Sequence, residues 1–231
     1  MSGIVKIPKF NIVNATKTHT ASLLFFHGSG SSGDDAKAWI DLLLGEELKF
    51  AHIKIVYPTA PAQPYTPNYG MPSNVWFNRK SISINVGEEV ESINSTCENI
   101  VELIDADVSK GIPYERIAVG GFSMGGALSM YLAYRYKQSL AGCIAMSSFL
   151  NRNSLVYESL KANLGRTPPL LQFHGTADEM VPLRWGEETY NNLKDLGVNG
   201  QFRTLNGTGH ALIVSEIKFF KKWISEILPE K

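Results

Sequence analysis

The 231-residue chain has no stretch approaching the roughly 18 consecutive apolar residues of a membrane-spanning helix, and its opening MSGIVKIPKF holds no apolar run of signal-peptide length. Transmembrane and secretory readings are therefore set aside, and a cytosolic protein is expected. An excess of one charge is lacking too. The 22 basic side chains balance 22 acidic ones, which removes the usual reason to expect nucleic acid or another highly charged partner. Cysteine is scarce: Cys97 and Cys143 each sit in an apolar pattern. They read as buried free thiols of a reducing compartment, and neither has the glycines or helix start that would activate it. The five histidines show no finger or helical-pair spacing, and no G-x-x-x-x-G-K-[ST] loop occurs. Neither a metal nor a cofactor is expected.

What is present suffices for a large core, with 44% of residues hydrophobic. No repeat, low-complexity tract or linker interrupts it, so one domain over 1–231 is expected. Two short alternating segments, at 4–7 and Phe10–Val13, suggest an antiparallel entry into a sheet. Strands are then expected at Ser22–His27, His52–Tyr57 (stopped by Pro58), Ile117–Gly120, Ala141–Met146, Leu170–His174 and Gln201–Leu205. A first helix, capped by Asp34 or Asp35, should reach about Leu48 with Trp39, Leu42 and Leu43 inward. Others are expected over Glu88–Lys110, from about Ser123 to Tyr136, over Pro182–Leu196 and over Ala211–Leu228. Ser154–Asn163 fits either a short helix or an irregular flap. Between Pro58 and Val86, five prolines from Pro58 to Pro72 predict an irregular loop or lid. Strands alternating with helices predict an α/β fold, a mostly parallel central sheet with helices on both faces.

The run Ile117–Ser129, IAVGGFSMGGALS, carries the chemistry. A strand enters Gly121-Phe122-Ser123-Met124-Gly125, a G-x-S-x-G pattern, and leaves it as a helix. A turn this sharp needs small neighbours, and it lifts the Ser123 hydroxyl above the sheet edge at a helix start. The string alone is weak, because glycine and serine are common. Its context raises it. In open parallel sheets the loops after the carboxyl ends of strands form the binding crevice. Here those loops carry His27-Gly28-Ser29-Gly30, the Pro-rich stretch, Ser123, Ser147–Leu150, Asp178 and His210. Nucleophile, acid and base then follow in the order Ser, Asp, His, as in α/β-hydrolases.

A serine hydroxyl needs an imidazole to take its proton. His19 and His52 read as surface residues, while His27 and His174 each end a strand before a glycine and suit the bracing of a loop. His210 lies between flexible Gly207, Gly209 and an apolar helix, and is the candidate base. Asp178 is the candidate for orienting it, although a helix-capping role before Val181-Pro182 suits it as well. Glu179 is its local rival; Asp34 is better explained as a cap. An oxyanion hole would draw one backbone N–H from Met124 and a second from the small-residue loop at Ser29.

The stretches LLFFHGSG, YPTAP, MPSNVWF, GIPYERIAVGGFSMGGALS and FHGTADEMVPL, with Gly209-His210, resemble the acyl-protein thioesterases and lysophospholipase-like carboxylesterases over nearly the whole chain. The resemblance implies an α/β-hydrolase fold, a Ser123–Asp178–His210 triad, N–H donors at Ser29 and Met124, and a substrate groove lined by Trp76 and Leu150. It further implies cofactor-free hydrolysis, in the cytosol, of S-acylated proteins, lysophospholipids or simple esters, without stable membrane insertion. Three departures stand out. Met124 replaces the family's glutamine, where only the backbone is needed. Ser29 replaces a typical leucine, and Phe149-Leu150-Asn151 with the following Asn151–Pro168 departs from the stretch that shapes the acyl channel. Ser29 and the unmatched segment predict a preference for short acyl chains. A binding module for lipidated proteins and a peptidase on the same fold are the alternatives. A competent residue at every triad position disfavours the first, and the lack of an obvious charged specificity pocket disfavours the second.

Overall fold

A computed structural model describes residues 9–163 and 165–231, so the segment expected at 4–7 lies outside the described residues. Seven strands form the central sheet: β1 (Lys9–Val13), β2 (Ala21–Phe26), β3 (Ile53–Thr59), β6 (Ile117–Phe122), β7 (Gly142–Met146), β8 (Leu170–Gly175) and β9 (Gly200–Leu205). They lie in the order β1-β3-β2-β6-β7-β8-β9, and all pairings are parallel except that of β1 with β3. Two further strands, β4 (Ala62–Pro64) and β5 (Pro72–Asn74), pair only with each other.

The apolar runs of the sequence become strands because both of their faces are covered. In β2, Leu24 and Phe26 pack toward α2 (Val90–Val108) and α3 (Met124–Tyr131), while Leu23 and Phe25 pack toward α1 (Gly33–Leu44) and α6 (Val214–Ile227). Alternate residues point to opposite faces, so a strand between two helical layers is apolar at most positions on both, and the buried Ser22 of β2 is met by Asp107 at 2.7 Å. Helices α4 (Leu155–Ala162) and α5 (Leu183–Asp195) add to the α2–α3 side.

Several expectations are corrected in detail. The cap of α1 is Ser32, whose Oγ accepts from the Asp35 N–H at 3.1 Å, and Gly45 ends the helix at Leu44. Leu42, expected inward, is 78% exposed; it lies about 200° around the helix from buried Ile40. Pro58 does not stop β3. The strand continues to Thr59, with Pro58 opposite Phe10 of the edge strand β1 and past Val56, the last residue of β3 paired with β2. The Pro-rich segment is also more regular than expected. It folds as the β4–β5 hairpin around a 3₁₀ turn at Thr66–Asn68. Ser154–Asn163 is helical, with the Ser154 Oγ accepting from the Val156 N–H at 3.2 Å. The helix after Ser123 does reach Tyr136, but its last turn, Leu132–Tyr136, winds as a π-helix. His52 is buried, its Nε2 against the Leu228 carbonyl at 2.7 Å. No helix among the described residues is long and apolar enough to cross a membrane.

Candidate active site

The turn between β6 and α3 is pressed against the end of β2. A Cβ added to Gly125 would lie 2.1 Å from the Phe26 carbonyl oxygen, and one added to Gly121 would lie 2.6 Å from the same atom. Only glycine allows that approach. Ser123 consequently sits at φ 55°, ψ −119°, outside the regions that side chains favour. Its N–H donates to the Met146 carbonyl at 2.8 Å and its carbonyl accepts from the Gly126 N–H at 3.0 Å. Both ends of the strained residue are thereby held.

Asp178 follows β8 and its side chain is fully buried. Oδ1 accepts from the N–H groups of Met180 (3.1 Å) and Val181 (2.8 Å), and Oδ2 lies 2.8 Å from Nδ1 of His210. The capping role and the orienting role thus fall to different oxygens of one carboxylate. Acceptance from the imidazole assigns the proton to Nδ1 and leaves Nε2 as the acceptor. The loop bearing His210 is docked on the end of β8: a Cβ at Gly175 would lie 2.2 Å from the Thr208 carbonyl oxygen, and the Ala177 N–H donates to that carbonyl at 3.0 Å. The imidazole packs on the ring of Phe122, 4.7 Å between centroids. Glu179, the sequence rival, is exposed, and Asp34 is held by Lys9 and by Asn11.

Ser123 and His210 line one cavity, although no hydrogen bond joins them here; such contacts often tighten only around substrate. Ser29 and Met124 line the same cavity. Among the described residues, neither of their N–H groups donates to another protein group, whereas the neighbouring Gly30 N–H donates to the Asn74 carbonyl at 2.9 Å. Two free N–H donors therefore flank the serine. The Ser29 hydroxyl rests 3.7 Å from the Met124 sulfur.

Histidines that sequence reasoning read as braces do brace. His27 Nδ1 meets the Gly28 carbonyl at 2.6 Å and its Nε2 accepts from the Ala60 N–H at 3.0 Å. Burial pushes its pKa down to about 4, so the neutral ring holds the Ser29 loop. His174 is likewise lowered by burial, with Nε2 on the Val181 carbonyl at 2.8 Å.

Trp76 and Leu150, expected in the groove, lie behind its wall. Trp76 is fully buried and donates its indole N–H to the His27 carbonyl at 2.9 Å, supporting the Ser29 loop from the rear. Leu150 is buried too, its N–H on the Thr189 hydroxyl at 3.0 Å. The cavity, about 210 Å³, is instead walled by Tyr65, Arg79, Ile82, Phe149 and Met180. Sequence reasoning placed Phe149 at the channel and missed the other four. All five come from irregular or loop segments with no periodicity to place them; Arg79, in the Arg79-Lys80 pair that follows the apolar Val75–Phe77 after Asn78, was the one available charge signal. Among the described residues no group of three or more His, Cys, Asp or Glu side chains is arranged to hold a metal.

A strained serine between a strand and a helix, sharing a cavity with a histidine paired to a buried aspartate, is the arrangement of an α/β-hydrolase. The chain belongs to the phospholipase/carboxylesterase family, whose profile spans residues 7–228. It is 47% identical to mouse lysophospholipase-like protein 1 over 94% of this chain and 91% of that protein. It is 38% identical to acyl-protein thioesterase 1 homolog 1 of Dictyostelium discoideum, covering 92% of this chain and 93% of the relative. The crystal structure of Zea mays acyl-protein thioesterase 2 superposes with a TM-score of 0.78 at 27% identity, over 95% of this chain and 99% of that one.

Proposed function

We infer that the protein is a serine hydrolase that cleaves acyl esters and thioesters through an acyl-enzyme, with Ser123 as nucleophile, His210 as base and Asp178 as the group that orients it. The observation that carries this reading is the shared cavity, whose wall holds both Ser123 and the imidazole that Asp178 holds at 2.8 Å. As Ser123 Oγ attacks the substrate carbonyl, its proton passes to His210 Nε2 and the imidazolium is stabilised by Asp178. The carbonyl electron pair moves to oxygen, which the N–H groups of Ser29 and Met124 receive; one such donor is worth about 2.7–4 kcal/mol. Collapse expels the alcohol or thiol, which takes the proton from His210. Water then repeats the sequence and frees the acid.

The same reading treats residues 1–231 as one catalytic domain, supported by a sheet that runs unbroken from β1 to β9 and by α6 packing back toward α1. Its substrates are S-acylated proteins or small acyl esters, in keeping with the thioesterase relatives. The buried thiols of Cys97 and Cys143 suit the cytosol. A cavity of about 210 Å³ lies below the roughly 300–1,000 Å³ of pockets for drug-sized ligands, which supports short acyl chains. A fluorophosphonate probe is expected to label the wild type, and Ser123→Ala is expected to abolish both labelling and ester turnover; retained hydrolysis would contradict the assignment. Across a series from acetyl to palmitoyl esters, kcat/KM should peak at the short end, and a rate climbing through the long chains would contradict that preference.

A further inference from the structure

One side chain on the cavity wall takes no part in that chemistry. The guanidinium carbon of Arg79 lies 5.1 Å from the ring centre of Phe77 and 5.4 Å from that of Phe149. Two aromatic faces hold a cation in place without neutralising it. Among the described residues Arg79 forms no ion pair, and its guanidinium donates to no protein group. Glu88, whose charge reaches it, makes no direct ion pair with it; its carboxylate oxygens accept instead from the Tyr131 hydroxyl and from the Leu155 N–H at 3.1 Å. Tyr65 shares the cavity wall and lies within electrostatic reach of Arg79, and its buried hydroxyl also lacks a partner. A partly buried cation and a buried hydroxyl are both unfavourable unless something completes them.

We propose that Arg79 and Tyr65 form a subsite for a carboxylate at the far end of the acyl group, making short dicarboxylic half-esters or half-thioesters the preferred substrates. The proposal rests on Ser123 being the nucleophile. A guanidinium presents parallel N–H donors that match a carboxylate bidentately, and the Tyr65 hydroxyl adds one more. The surroundings strengthen the pairing. Phe77 and Phe149 are both buried, and Phe149 is backed by Trp185 at 5.0 Å, so the charge sits against apolar walls rather than bulk water. The acyl side is the side to be enclosed, because a leaving group that is part of a protein must trail out into solvent. A neutral chain of equal length would leave the guanidinium desolvated and unmatched, which turns the wall into a filter against it.

The test compares kcat/KM of the purified protein on the 4-nitrophenyl half-ester of glutaric acid, its methyl-capped diester and 4-nitrophenyl pentanoate, each corrected for uncatalysed hydrolysis. The free carboxylate should be preferred by about tenfold or more over both neutral esters, the worth of one charged hydrogen bond. Arg79→Gln should collapse that ratio toward one, and Arg79→Lys should retain part of it, with fluorophosphonate labelling confirming that each variant is folded. A wild type that favours the neutral esters or treats all three alike overturns the proposal while leaving Ser123 in place. A preference that appears only when the anion is moved to the leaving group overturns it as well. Absence of both probe labelling and turnover of every ester would remove the Ser123 assignment, and this proposal with it.

Discussion

Asp178 answers to two demands at once, with one oxygen on the backbone of Met180 and Val181 and the other on His210. Asp178→Asn separates them. The carboxamide oxygen can still accept from the turn, but the group facing Nδ1 becomes a donor and pushes the imidazole toward the wrong tautomer. The fold should persist with a Tm close to wild type, while kcat falls by about 10⁴-fold, as such a substitution does in other serine triads. Thermal melting beside ester kinetics checks both halves, and a collapse of the melt would mean that the turn rather than the tautomer is what Asp178 secures. At this scale the sequence was informative where chemistry and position coincided: Ser123, Asp178 and His210 each follow a strand. It was uninformative for Arg79 and Tyr65, because a cavity wall assembled from irregular segments has no period to betray it.

Strand, turn and helix around Ser123 behave as one element clamped onto β2. Gly125→Ala puts a methyl group 2.1 Å from the Phe26 carbonyl oxygen, a backbone atom that cannot swing aside. Either the turn lifts from the sheet or β2 shifts, and the Ser29 loop that continues β2 moves with it. We expect a loss of about 3 kcal/mol, the upper end of the usual range for overpacking, read as a lowered denaturant midpoint with activity reduced even in the folded fraction. The element was legible because G-x-S-x-G between a β pattern and a helix pattern has few other geometries. Ends of elements were less so. Ser32 capped α1 where Asp34 or Asp35 was expected, since all three sit within one turn and only the observed Oγ-to-Asp35 N–H bond decides between them. Pro58 and the β4–β5 hairpin were misjudged for a related reason: whether a proline breaks a strand depends on which neighbour is present beside it, and that is tertiary information.

Across the whole molecule, the covered sheet was foreseeable from strand and helix alternation, but the titrating groups buried under it were not. Glu216, in the first turn of α6, is 1% exposed; its Oε2 accepts from the Ile213 N–H at 3.3 Å and its Oε1 has no partner. Burial raises its pKa to about 8. Between its ordinary value near 4.5 and about 8 the folded chain holds a proton that the unfolded chain has released, so stability falls as pH rises through that window. The loss should amount to a few kcal/mol at most. Glu216→Gln should flatten the decline between pH 6 and pH 8 in denaturant titrations (roughly the upper half of that window); an unchanged slope would show that Glu216 is ionised in the native state.

The loops that meet at the sheet's edge also arrive in a fixed order while the chain is being made. Ser123 emerges first and finds its glycines, its strand and its helix within a few residues on either side. Asp178 follows after β8, and His210 comes only once β9 is complete and its loop can dock on Gly175. Until that late moment the serine, under the roles proposed, has no base and is an ordinary alcohol. A chain stalled or clipped before His210 would therefore carry the most recognisable stretch of the protein and none of its chemistry, harmless to every ester it meets.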